Sequence, residues 1–103
     1  MKLFKQSLPK PKSQVQEVFF ILLKDAKGKP EEKRGVSRKE FMDIAFVLNA
    51  PGRICDLRNQ GVVISRKLIN RKNKFGRDIT YSEYFIPRQF DELMESIYKA
   101  MVK

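Results

Sequence analysis

The groups in this chain whose spacing could do chemistry are basic and amide side chains, and they fall in two sets. In the run N-A-P-G-R-I-C-D-L-R, residues 49 to 58, Asn49, Gly52, Arg53 and Arg58 lie close together. An asparagine amide can pair bidentately with adenine and an arginine with guanine, while a glycine lets a backbone come close to its ligand. In the second set Arg66, Lys67, Arg71, Lys72, Lys74 and Arg77 follow one another with no acid among them. Such cations suit phosphate: each neutralised phosphate releases counterions, adding a salt-dependent but largely sequence-blind term. Each residue also has a purely structural reading. Asn49 can cap a helix, Gly52 can relieve crowding, and Arg53 or Arg58 can brace a carboxylate such as Asp56 or Asp43. The basic run can be a solvated face. Asp56 would repel phosphate, so its expected task is to orient one of the two arginines.

Other chemistry lacks its reagents. With no histidine, the usual zinc ligand sets and every histidine-based triad are absent, and one cysteine cannot form an internal disulfide. Cys55 reads as a small, partly buried residue. There is no phosphate-cradling glycine loop and no pair of acids spaced like a metal site. The expectation is a protein that is not an enzyme and needs neither cofactor nor metal. The 22 lysines and arginines exceed the 12 acids by a formal net charge of +10, which favours polyanionic partners. Nucleic acid is the commonest of these, with an acidic membrane surface or a ribosomal neighbour as alternatives. The longest apolar run, Val18 to Leu23, is far shorter than a bilayer span. No apolar run of signal-peptide length follows the first lysines. A cytoplasmic chain without a membrane partner is expected.

The elements that must position these residues can be read in order. At 103 residues the chain suits one domain with a modest core. Residues 1–12, with four lysines, two prolines and no acid, read as a flexible basic arm. Ser13 can cap a helix over 14–26 whose apolar residues Val15, Val18, Phe19, Phe20, Ile21, Leu22 and Leu23 cover most of its circumference, as in a central helix. The charged Gly- and Pro-containing stretch after it reads as a solvated connection. Ser37 and Glu40 then form a capping box, and Phe41, Ile44, Ala45 and Leu48 predict one apolar stripe on the helix they open. A second helix starts at Asn49 with Pro51 in its first turn, buries Ile54 and Leu57, and stops at Gly61. Val62 to Ile69 and Ile79 to Ile86 read as two strands joined by a basic turn, with Tyr81, Tyr84 and Phe85 in packing roles. Pro87 suits the first turn of a last helix bearing Phe90, Leu93, Met94, Ile97, Tyr98 and Met101 on one face. That face either packs within the chain or pairs two copies.

The run R-I-C-D-L-R-N-Q-G-V-V-I, residues 53–64, resembles the R-I-x-x-L-R-x-x-G-x-x-I signature of small winged helix-turn-helix proteins of bacteria, phages and plasmids. Tyr84-Phe85-Ile86 resembles the Tyr-x-Leu ending of the second wing strand in that family. The resemblance covers about residues 13–86, leaving the basic arm and the last helix, 87–103, outside it. It implies an α+β winged helix-turn-helix: three helices and a two-stranded β-ribbon wing, here followed by a C-terminal helix. It also implies binding to double-stranded DNA, in a small regulator of transcription or replication; because a single short module has a small interface, a homodimer or a protein partner is expected to supply specificity. Asn49, Gly52, Arg53, Arg58 and the six wing cations are then the DNA-binding candidates. The alternative is a winged helix that binds another protein, such as a phage inhibitor of a host nuclease or polymerase.

Overall fold

A computed structural model of the protein describes residues 8–103. Most of the expected basic arm, residues 1–7, lies outside the described residues. The remainder is α+β: four helices and one three-stranded antiparallel sheet, compatible with a winged-helix-like layout. Helix α1 (Gln14–Ala26) is followed by a single 3-10 turn (Glu31–Lys33), the two-residue strand β1 (Val36–Ser37) and helix α2 (Arg38–Ala45). Helix α3 (Ala50–Asn59), strands β2 (Ser65–Lys72) and β3 (Asp78–Phe85), a second 3-10 turn (Arg88–Phe90) and helix α4 (Asp91–Val102) complete the chain.

Local chemistry sets the helix starts. Ser13 Oγ accepts from Gln16 N at 3.2 Å and opens α1. At α2 both halves of the capping box form: Glu40 N donates to Ser37 Oγ at 3.2 Å, and Ser37 N donates to Glu40 Oε1 at 3.0 Å. Helix α1 is the central helix, burying Val18, Phe19, Ile21, Leu22, Leu23 and Ala26. Against it lie Phe41 of α2, Ile54 and Leu57 of α3, and Met94, Tyr98 and Val102 of α4. The Phe19 and Tyr98 rings meet edge to face at 5.4 Å. Tyr98 also donates its hydroxyl to Pro9 O at 2.7 Å, and burial pushes that hydroxyl up to about 12. The last helix thus spends its apolar face inside the chain.

Several expectations need correction. The apolar stripe of α2 does not run through Ile44 and Leu48, which are both exposed. The helix ends at Ala45 because Phe46 turns into the left-handed region at φ 55°, so Val47 swings into the core instead. Leu93 on α4 is exposed as well, and Pro87 precedes a 3-10 turn instead of entering the helix. The strands sit about three residues later and one residue earlier than their apolar runs suggest. Val62 and Ile64 are buried anchors in the connection before β2.

A further correction concerns the charged stretch after α1, which is not merely a solvated connection. It carries β1, which pairs Val36 with Tyr84 and Ser37 with Glu83 and gives the sheet order β1-β3-β2. It also carries Arg34, whose side chain is only 2% exposed. Arg34 Nε donates to Lys29 O at 3.0 Å and Nη1 donates to Ile86 O at 2.8 Å. The two terminal nitrogens fork onto Asp91 Oδ1 and Oδ2 at 2.6 and 2.8 Å. A guanidinium so deep is tolerable only because each face of the fork has an acceptor. The bond to Asp91, opposed by desolvation, raises the Arg34 pKa further above its usual range.

Removing one partner of a buried, forked pair leaves a desolvated charge behind, which is far costlier than losing an exposed ion pair. Asp91 is itself partly exposed and Arg34 keeps two carbonyl acceptors, so the loss should fall below the fully buried case. Asp91→Ala is expected to lower stability by about 2–3 kcal/mol in urea unfolding. Asp91→Asn should lose less. A change under ~1 kcal/mol for the alanine variant would show that the fork does not fasten α4.

Candidate nucleic-acid interface

Helix α3 is held from three sides. Ala50, Ile54 and Leu57 enter the core, the α2–α3 turn fixes its start, and Arg58 fixes its exit. Arg58 Nε and Nη2 both donate to Ile64 O, at 3.3 and 2.9 Å. The arginine therefore braces a carbonyl in the connection to β2, not one of the carboxylates considered for it. Gly61, at φ 92°, carries the chain away from the helix. Past Ile64 the chain enters the hairpin, so the clasp made by Arg58 sets the angle between helix and wing.

At the other end of α3 the candidates are tied to one another. Asn49 Oδ1 accepts from Gly52 N at 3.3 Å, so this amide caps its own helix. A Cβ on Gly52 would collide with Asn49 Nδ2. The glycine is thus explained by the cap before any ligand is considered. Arg53 Nη1 lies 3.4 Å from Asp56 Oδ2, which gives Asp56 the orienting task expected of it. The Arg53 side chain is 34% exposed, and its Nε is buried without a hydrogen-bond partner among the described residues. Only its terminal nitrogens can reach outward. Cys55 is exposed on the outer face of α3, not partly buried as expected.

The wing cations divide by strand register. Directly paired residues share a face, so Arg66 with Tyr84 and Lys72 with Asp78 lie on one side, and Lys67 with Glu83 and Arg71 with Ile79 on the other. Lys67 is turned to the body: its Nζ donates to Glu32 O at 3.2 Å, approaches Glu83 at 4.0 Å and lies over the Phe85 ring. Lys72 pairs with Asp78 at 2.8 Å. Among the described residues, the side chains of Arg66, Arg71, Lys74 and Arg77 have no such partner. Arg71 reaches the start of α3. It lines a groove of ≈ 1010 Å³ together with Pro51 of α3, Arg38, Lys39 and Met42 of α2, Leu48, and Ile79 and Tyr81 of β3.

This groove holds residues that sequence reasoning placed elsewhere. Leu48 was expected in the core and instead forms its wall. Arg38 was not a candidate, although it left a signal: Arg38 and Lys39 occupy the first turn of α2, where the helix dipole disfavours cations. Arg38 Nη2 reaches Leu48 O at 3.4 Å, and Lys39 pairs with Asp43 at 2.8 Å. The result is an apolar floor with a basic rim between α2, the start of α3 and the wing.

No family model, curated protein or solved structure matches the chain. The resemblance of residues 53–64 to the winged helix-turn-helix signature therefore rests on those residues alone. Among the described residues no helix is long and apolar enough to cross a membrane, and no group of three or more histidines, cysteines or acids is placed to hold a metal.

The cap and the glycine at the start of α3 form one unit, so their substitutions should not add. Asn49→Ala is expected to cost about 1 kcal/mol in the native chain. In a Gly52→Ala background the amide is already displaced, and the same change should cost close to nothing. A double-mutant cycle in denaturant measures this coupling. Full additivity would separate Gly52 from the cap and leave close approach of a ligand as its reason for being glycine.

Proposed function

We propose that the chain binds double-stranded DNA as a winged helix-turn-helix, with α3 presented to the major groove and the β2–β3 hairpin laid along the flanking backbone. The observation that carries this reading is the set of four wing cations, Arg66, Arg71, Lys74 and Arg77, left without acidic partners among the described residues, on an arm of which Arg71 lines one groove with Pro51 at the start of α3. Unpaired cations repel one another, and a hairpin needs none of them in order to form. A polyanion removes that repulsion and gains counterion release. Arg53 is the remaining candidate for a base contact on α3, held in place by Asp56. Asn49 and Arg58 act in this reading as supports, and Lys67 fastens the base of the wing. The biological role it fits is that of a small regulator of transcription or replication, the kind of role that the motif resemblance implies for phage, plasmid and bacterial chains.

Four phosphate contacts predict a slope of roughly −3.6 for log K against log salt, at about −0.9 per contact on duplex DNA. Fluorescence anisotropy with a labelled duplex of mixed sequence, over a range of monovalent salt, should give this slope or a steeper one. Arg71→Ala with Arg77→Ala should make it shallower by about 1.8 while leaving the fold intact. No binding at micromolar protein in low salt would overturn the DNA reading.

One observation favours a second reading, in which the same fold docks a protein. Phe46 holds a left-handed backbone that bulky residues rarely adopt, and its ring is 81% exposed. Ile44, Met42 and Leu48 are exposed around the same corner. Strain combined with exposed apolar surface is a usual mark of a contact site. Phe46→Gly should be neutral or stabilising by up to about 1 kcal/mol in thermal unfolding, because glycine takes this conformation without a steric penalty. If the variant also binds duplex as the native chain does, the corner lies outside the DNA interface and the protein reading gains.

A further inference from the structure

The hairpin carries a further feature at its tip. β2 and β3 pair from Ser65–Phe85 out to Lys72–Asp78, whereas β1 supports only the rows at Tyr84 and Glu83. The outermost row thus stands five residues beyond the last row that β1 reaches, roughly 17 Å at the usual strand rise. Residues 73–77 close the arm with a tight, well-bonded turn. Asn73 N donates to Arg77 O at 2.9 Å, and Gly76 N donates to Asn73 O at 3.0 Å. Asn73 Oδ1 accepts from both Phe75 N at 2.9 Å and Arg77 N at 3.0 Å. Gly76, at φ 82°, takes the left-handed position that a three-residue hairpin loop requires.

This fixed turn presents Phe75, which is 93% exposed among the described residues. Nothing in the turn geometry asks for an aromatic there, since such positions favour small polar residues. Among the described residues its neighbours Lys74 and Arg77 have no acidic partner, and the nearest acid in sequence, Asp78, is taken by Lys72. A large apolar ring held out on a rigid stalk between free cations fits a ligand with anionic edges and a stacked apolar interior. Duplex DNA has that construction: two lines of phosphate around a column of bases.

We infer that Phe75 is a wedge that enters a base-pair step from the minor-groove side, while Lys74 and Arg77 hold the phosphates on either flank. The inference rests on the DNA reading above and adds to it a mode of contact, namely partial unstacking with a bend away from the inserted ring. It also assigns a preference. The steps that unstack at least cost are pyrimidine–purine, TA and CA/TG, so the wing should favour these without making hydrogen bonds to their bases. The asparagine-anchored turn matters here because a wedge on a floppy loop would lose its ordering entropy on entry.

The test uses the full chain and duplexes carrying 2-aminopurine at a central TA step, read by its fluorescence, with donor and acceptor dyes at the ends to report bending. The native chain should raise the 2-aminopurine signal and shorten the end-to-end distance on binding. Phe75→Ala should abolish both signals and weaken binding about tenfold, in keeping with the usual worth of one base–aromatic stack. Phe75→Leu should retain most of both, because an aliphatic wedge can also unstack a step. Lys74→Ala with Arg77→Ala should weaken binding and flatten its salt dependence. If the native chain binds duplex but Phe75→Ala matches it in affinity and in both optical signals, the wedge is overturned while DNA binding stands. If the native chain fails to bind duplex at all, both fall. Binding to anionic vesicles that depends on Phe75, with no change in the 2-aminopurine signal on DNA, would reassign the ring to a lipid surface and also overturn the inference.

Discussion

The guanidinium of Arg34 ties together three parts of the chain that lie far apart in sequence. It takes the carbonyl of Lys29 from its own loop, the carbonyl of Ile86 just past the sheet, and both carboxylate oxygens of Asp91 at the start of α4. With those three fixed, the loop must run along the sheet edge, which brings Val36 and Ser37 into register with Tyr84 and Glu83. Gly35 N adds a bond to Asp25 Oδ2 at 2.9 Å, which ties the same loop back to the end of α1. The sheet edge, the central helix and the last helix thus share one polar knot. The apolar core alone would not define it, because hydrophobic contact has no direction, whereas a planar fork with five donors accepts very few arrangements.

The legibility of the sequence follows from how local each determinant is. The starts of α1, α2 and α3 were readable because a cap and its partner lie three residues apart. Ser13 with Gln16, Ser37 with Glu40 and Asn49 with Gly52 are all bonded as such spacing demands. The course of α4 was readable from its period. Arg34 was not readable, because its partners lie 5, 52 and 57 residues away and a charged residue among charged neighbours carries no mark of burial. β1 is too short to show a period. The stripe through Ile44 and Leu48 failed because counting by 3.6 assumes that the helix continues, and Phe46 stops it by a backbone choice that its side chain does not advertise. The strand frame slipped for a related reason: the β-branched run Val62, Val63, Ile64 anchors the connection, while the outer strand, lacking a body to pack on, has no apolar alternation to read.

The candidate site shows the same division. Among its ten residues, the structure gives Asn49, Gly52, Arg58 and Lys67 structural tasks through a cap, a crowded backbone, a carbonyl clasp and a body contact. Residue type could not separate these from the rest, since an arginine that grips a carbonyl and one without a partner among the described residues are spelled alike. Ion-pair geometry does separate them. It also adds Arg38 on the groove rim and Phe75 at the tip, one of which was placed against a helix dipole and the other within a turn where its ring has nothing to pack on.

A net charge of +10 would mean little if it were spread evenly, because a basic surface that is paired throughout only raises solubility. The placement of the acids decides the matter. Asp25 serves Lys29 and the Gly35 amide, Glu31 the Arg88 amide, Glu40 a cap, Asp43 Lys39, Asp56 Arg53, Glu83 Lys67 and Asp91 Arg34. Each of these is spent on the body or on the base of the wing. Asp78 stands on the outermost row of the hairpin, and Lys72 takes it. Residues 65–85 hold six cations against two acids, so the projecting arm carries +4 of the chain's +10, and residues 1–12, with four lysines and no acid, carry a further +4.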